Sequence, residues 1–171
     1  TRQFFLRLAE HFQNSSFPGL TLFAIPSFPS LETAGQILRG SSILLGAQNM
    51  HWEDQGQFSG EVSPLMLKDL GVSLVMLGHS ERRHVFGETD EEIHKKVLSA
   101  ARHKIRPLLC IGETKKKKDA GISDERLRIQ LKCDLFQFPL DALNQLMIAY
   151  EPVWAIGVSG TPAPADYVKE R

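Results

Sequence analysis

The sequence predicts an α/β protein, a parallel sheet covered by helices. Two patterns carry that prediction. Short apolar runs alternate strictly with stretches of helical period, in the order α-β-α-β-α-β-α-β-α-β-α. Each run also ends in polar residues at its carboxyl side, where α/β proteins place their chemistry. Strict alternation puts a crossover helix after every strand, and such strands pair in parallel. A doubly wound open sheet and a (β/α)8 barrel both fit. The G-x-G-x-x-G that a doubly wound nucleotide binder carries after its first strand does not occur, and Gly157 with Gly160 is too weak a pair to replace it.

The chain opens with Phe4, Phe5, Leu8 and Phe12 at helical spacing, and Asn14 to Ser16 with Pro18-Gly19 end that helix. Leu20 to Ile25 reads as the first strand, broken by Pro26 and Pro29. Leu31, Ala34 and Leu38 then mark a helix. Ile43 to Ala47 is the second strand, followed by a polar loop to about Ser63. Ser63 is placed to cap a helix that starts at Pro64 and carries Leu67 and Leu70. Val72 to Leu77 is the third strand, with a short helix from Ser80. Thr89-Asp90-Glu91-Glu92 reads as a capping box, opening a helix to His103 with Ile93, Val97 and Ala101 inward. Pro107 to Ile111 is the fourth strand, and Lys115 to Lys118 reads as a solvated loop. Ser123 starts a helix with Leu127, Leu131 and Leu135 every four residues. Leu146 to Tyr150 is the fifth strand. A Gly-rich loop and a helix start near Pro164 complete the chain, which reads as one domain over residues 1–171.

Composition narrows the function. Hydrophobic residues make up 42% of the 171, enough for a core. Lys plus Arg and Asp plus Glu are 20 each, so bulk charge points to neither nucleic acid nor an anionic membrane surface. A small anionic substrate needs only local charges and stays open. Cys110 and Cys133 form neither a metal motif nor a disulfide framework, which fits a reducing, cytoplasmic setting. No apolar run reaches bilayer length, and no signal peptide is legible. His11, His51, His84, His94 and His103 show no metal-ligand spacing. The absent initiator Met suggests a fragment.

Two strand ends supply groups suited to proton transfer. His79 follows the third strand and precedes a helix start, where the partial positive charge of the helix disfavours an imidazolium. The plainer reading is a His that only caps or packs. Glu151 ends the fifth strand, with Pro152 fixing the backbone behind it and Val153-Trp154 adding an apolar wall; a carboxylate beside apolar groups becomes a better base. Its plainer reading is a carboxylate paired with an Arg. The two together, on separate strand ends, outweigh either alone. Ser80 beside His79 is not a nucleophile–base pair, since sequence neighbours need not face each other.

The segment Ala149-Tyr150-Glu151-Pro152-Val153-Trp154-Ala155-Ile156-Gly157 resembles the signature of the triosephosphate isomerase family almost letter for letter. Leu77-Gly78-His79-Ser80-Glu81-Arg82-Arg83 resembles its second signature. Ala47-Gln48-Asn49, Gln57 to Ser63 and Leu109 to Glu113 resemble, in family order, a third strand end, a dimer loop and a fifth strand end. The resemblance implies a TIM (β/α)8 barrel, here a partial barrel of about five parallel strands. It implies interconversion of dihydroxyacetone phosphate and D-glyceraldehyde 3-phosphate, with Glu151 as base and His79 as neutral electrophile. Gly157 and Ser159 would bind substrate phosphate from a lid hinged at Pro152, Val153 and Trp154. Asn49, Ser80, Glu81 and Cys110 would shape the surroundings. Arg82 would pair with Glu88 and with Glu61 of a partner subunit, and Ser59 would reach the other subunit's site in a homodimer. No metal or organic cofactor is implied.

Two departures stand out. The lid's far hinge reads Gly157-Val158-Ser159-Gly160-Thr161-Pro162, with Pro164 beyond, where the family more often has Gly-Thr-Gly-Lys-Thr-Ala; prolines restrict φ there. Ser59 stands for a more usual Thr. The resemblance also places the first strand, with its phosphate-binding Lys, and the last two strands outside these residues. The isolated 171-residue chain is therefore expected to be nearly inactive. A four-carbon phosphosugar isomerase and a truncated non-catalytic chain are the competing readings.

Overall fold

A computed structural model describes residues 2–12, 18–158 and 160–171. Five strands form one sheet: β1 (Phe23–Ala24), β2 (Leu44–Ala47), β3 (Leu74–Leu77), β4 (Arg106–Ile111) and β5 (Met147–Tyr150). Every neighbouring pair is parallel, and spatial order equals chain order, β1-β2-β3-β4-β5. That order decides between the two architectures. A doubly wound sheet reverses strand order at a switch point, whereas a barrel adds each strand beside the last. The arrangement is a partial (β/α) barrel.

The helices are α1 (Arg2–Phe12), α2 (Leu31–Leu38), α3 (Pro64–Asp69), α4 (Ser80–His84), α5 (Asp90–Arg102), α6 (Lys115–Asp119), α7 (Ser123–Asp134) and α8 (Ala165–Lys169). Their starts follow side-chain chemistry. Ser63 accepts the Met66 N–H at α3, and Thr89 with Glu92 forms the expected capping box at α5. The core is built from Leu31, Ala34 and Leu38 of α2, Leu67 of α3, Ile93 and Val97 of α5, and the inward residues of β2 to β4.

Several expectations need correction. Lys115 to Lys118 is helical, because Thr114 accepts the Lys117 N–H and opens a turn. In α1 only Phe5 is buried, and Phe4 is exposed. In α5 the inward residue is Ala100, with Ala101 half-buried. In α7 the buried positions are Ser123, Leu127, Gln130 and Asp134, while Leu131 and Leu135 are half-buried. That helix turns a polar face inward, because it must meet backbone groups at strand ends. β1, β2, β3 and β5 are shorter than their apolar runs, the first shrinking to two residues, while β4 begins one residue earlier, at Arg106. A 3-10 turn, Leu140–Gln145, precedes β5. Of the residues expected to end α1, Asn14 to Ser16 lie outside the described residues.

Candidate active site

The carboxyl ends of β3, β4 and β5 meet on one rim. Gly78 turns the chain out of β3 with φ +70°, a conformation that glycine adopts at little cost. His79 follows as the N-cap of α4, and its Nδ1 accepts the Glu81 N–H at 3.4 Å. A ring nitrogen that accepts a hydrogen bond carries no proton, so Nε2 is the N–H in a neutral ring.

Glu151 leaves β5 with its own N–H donated to Ile111 O at 2.7 Å. Its carboxylate stands 3.6 Å from His79 Nε2. Glu151 Oε2 is buried with no hydrogen-bond partner among the described residues, and a buried acceptor without a donor is an open position. Gly112 makes this approach possible, since a Cβ there would overlap the Glu151 carbonyl. Cys110 lies underneath; burial first, and then the Glu151 carboxylate, push its thiol well above the usual range. A thiol so placed stays protonated and packs rather than reacts.

A cavity of about 430 Å3 opens beside His79, lined by Ser80, Glu81, Val85, Val153, Ile156 and Gly157 among others. Glu151 instead lines the tight seam below, with Gly78, Arg83 and Cys110. Gly157 is exposed with φ +81°. Ser159 lies outside the described residues. Glu81 is exposed and reaches His79 Nδ1 only at 3.8 Å, so its contribution is its backbone N–H. Ser80 is buried at the start of α4.

Asn49 stands apart from the pair. Its Oδ1 accepts from Lys96 Nζ at 3.0 Å, and Lys96 also pairs closely with Glu88. Arg82 meets Glu88 at 3.4 Å, as expected. Ser59 and Glu61 are exposed on the loop before α3, where Glu61 comes within 3.9 Å of His51.

Three groups escaped the sequence reading. Glu113 has no exposed surface, and its carboxylate takes hydrogen bonds from Tyr150 Oη at 3.0 Å, Trp154 Nε1 at 2.8 Å and Tyr167 Oη at 2.8 Å. Burial, followed by the Glu113 bond and charge, pushes the Tyr150 hydroxyl far up, so it stays a donor. Its signal was a strand-end position. Lys96 was legible as a charge inside the apolar stripe of Ile93, Val97 and Ala100. Arg83 was legible only as the last residue of the signature-like segment Leu77 to Arg83, with nothing to mark it as buried. Among the described residues, no group of three His, Cys, Asp or Glu could hold a metal ion.

The model of the triosephosphate isomerase family matches residues 1–171. The chain belongs to the triosephosphate isomerase family. It is 51% identical over 155 residues to an L-erythrulose-1-phosphate isomerase of Rhizobium etli, covering 90% of this chain and 58% of that protein. It is 52% identical over 134 residues to a triosephosphate isomerase of Trichodesmium erythraeum, covering 78% and 54%. Against the triosephosphate isomerase of Aquifex aeolicus it is 45% identical over 166 residues, covering 96% and 64%. The chain thus spans 54% to 64% of the length of these relatives. Family membership gives the partial barrel its setting: the five strands are part of a (β/α)8 design.

Proposed function

We propose that the protein interconverts a ketose phosphate and its aldose isomer, with dihydroxyacetone phosphate and D-glyceraldehyde 3-phosphate as the first pair. The observation that carries this reading is the Glu151 carboxylate facing His79 Nε2 at 3.6 Å while Nδ1 is held as an acceptor. Glu151 removes a proton from the hydroxyl-bearing carbon. The C–H electron pair becomes a carbon–carbon double bond, and the carbonyl oxygen takes up negative charge. The Nε2–H of His79 donates to that oxygen. The carboxylic acid then returns the proton to the neighbouring carbon, and a proton passes between the two oxygens. The division between a carboxylate base and a neutral imidazole is already established for triosephosphate isomerase. The lid of that enzyme is likewise established, and we assign Pro152 to about Pro162 to it, with Gly157 and Ser159 as its phosphate-binding residues. Pro152, Val153 and Trp154 form its near hinge. Closure keeps water from the enediolate.

The relatives named L-erythrulose-1-phosphate isomerase favour a second reading, because at 51% and 47% identity they are as similar as those named triosephosphate isomerase. A four-carbon ketose phosphate undergoes the same proton shift and needs room for one more hydroxymethylene. We further propose a cytoplasmic homodimer, with Ser59, Glu61 and Arg82 at the contact, working without a cofactor. Assaying the full-length protein on glyceraldehyde 3-phosphate and on erythrulose 1-phosphate separates the readings. A kcat/KM at least about tenfold higher on the triose supports the first, the reverse supports the second, and no isomerisation of either overturns both.

A further inference from the structure

Behind the proposed reaction pair lies a buried cation that touches neither group. The Arg83 side chain is 5% exposed. Its Nε donates to Gly78 O at 2.7 Å, and its Nη2 donates to Cys110 O at 3.1 Å. Gly78 is the residue before His79. Cys110 precedes Ile111, whose carbonyl accepts the Glu151 N–H. One guanidinium therefore ties the end of β3, which sets the imidazole, to β4, the strand beside the one that sets the carboxylate. A Cβ at Gly78 would come to 2.7 Å from Arg83 Nη2, so the turn and the cation are fitted to each other.

The guanidinium is itself held by carboxylates. Asp134 Oδ2, at the end of α7, accepts from Nη2 at 2.6 Å, and Asp90 Oδ1 accepts from Nη1. Asp90 is shared with Arg126. Asp134 has no exposed surface, and its Oδ1 has no partner among the described residues. A buried acidic group with one oxygen unsatisfied lowers stability, so stability alone does not explain its position.

We infer that Arg83, seated by Asp134, is a positioning residue that fixes the Gly78 and Cys110 carbonyls and so sets the His79 imidazole against the Glu151 carboxylate. The inference rests on the function proposed above. Burial pushes the Asp134 carboxyl up to about 6, against the pull of Arg83. Asp90 and Arg126 face the same cluster, and His94 Nδ1 lies 3.4 Å from the Asp134 carbonyl. His84 on α4 is held below its ordinary value by burial first, then by the charges of Arg126 and Arg83.

The test uses Arg83→Lys and Asp134→Asn in the full-length protein, with Glu151→Asp alongside. The expected result is a fall in kcat of about tenfold or more for either change, with KM within about twofold, in protein that melts cooperatively. The double variant should lose no more than the worse single. The low-pH limb of the wild-type kcat profile should also lose its inflection in Asp134→Asn. Variants that lower Tm while kcat stays within about twofold overturn the inference and leave a stability pair. If Arg83→Lys does not fold, the near-isosteric Asp134→Asn decides. Should Glu151→Asp prove silent, the function reading fails separately; the nitrogen shifts of the His79 ring then decide, and an unmoved resonance in Asp134→Asn overturns the positioning role.

Discussion

Glu151 and His79 lie 72 positions apart in the chain, and their side chains meet at 3.6 Å. Shortening the base withdraws its oxygens from the reacting carbon. Glu151→Asp in the full-length protein should therefore lower kcat by about 10²-fold, with an unchanged circular dichroism spectrum. An undiminished kcat would remove Glu151 from the role of base. A second residue-level prediction concerns Lys96, which is 3% exposed and pairs closely with the buried Glu88. Lys96→Met leaves the buried Glu88 carboxylate with Arg82 alone, at 3.4 Å, and should cost about 3 kcal/mol, read from urea denaturation. Both Glu151 and His79 were legible in the sequence as strand-end groups with the right chemistry. Glu113 and Lys96 were less so, because burial alone distinguishes them from surface charges.

At the scale of elements, local chemistry set the starts of helices better than their buried faces. The Thr89 and Ser63 caps follow from short-range hydrogen bonding, which a sequence displays directly. Thr89 with Glu92 caps α5, and the Thr89 hydrogen bonds also hold the Glu92 carboxyl below its ordinary value. Thr89→Ala should destabilise the fold by about 1 kcal/mol, measured by thermal or urea unfolding. The face of α7 defied its leucine period. Gln130 accepts the Gly112 N–H at 3.0 Å and Asp134 takes Arg83, so polar side chains fill the most buried positions beside Leu127, and Leu131 and Leu135 pack half-buried against the core. Apolar periodicity reports where leucines recur; it carries no information on which neighbouring helix face must answer strand-end amides and a buried cation.

For the molecule as a whole, two carboxyls on the Arg83 cluster give opposite pH signatures. Burial raises the Asp90 carboxyl, but the Arg126 hydrogen bond and the charges of Arg126 and Arg83 outweigh it and hold the group below 3.8. Its contribution is present above that value and is lost as pH falls through the lowered one. Asp134 rises from 3.8 to about 6, so the folded state binds more protons there than the unfolded chain does. Its contribution is complete below 3.8 and declines as pH rises toward about 6. Asp134→Asn should therefore gain stability relative to wild type as pH rises through that window, followed by melting temperature. A constant difference across it would contradict the assignment.

The sequence by itself determined the α/β alternation, the helix caps and, through its motifs, the family and the two groups proposed to move the proton. These are local or recurrent features, encoded in a few neighbouring residues. Only the tertiary structure decided that the strands lie in chain order, that Glu151 faces His79 across the rim, and that α7 turns Asp134 inward to seat Arg83. Those facts depend on which distant segments share a wall of the sheet, and burial there converts ordinary charges into fixed, partnered ones.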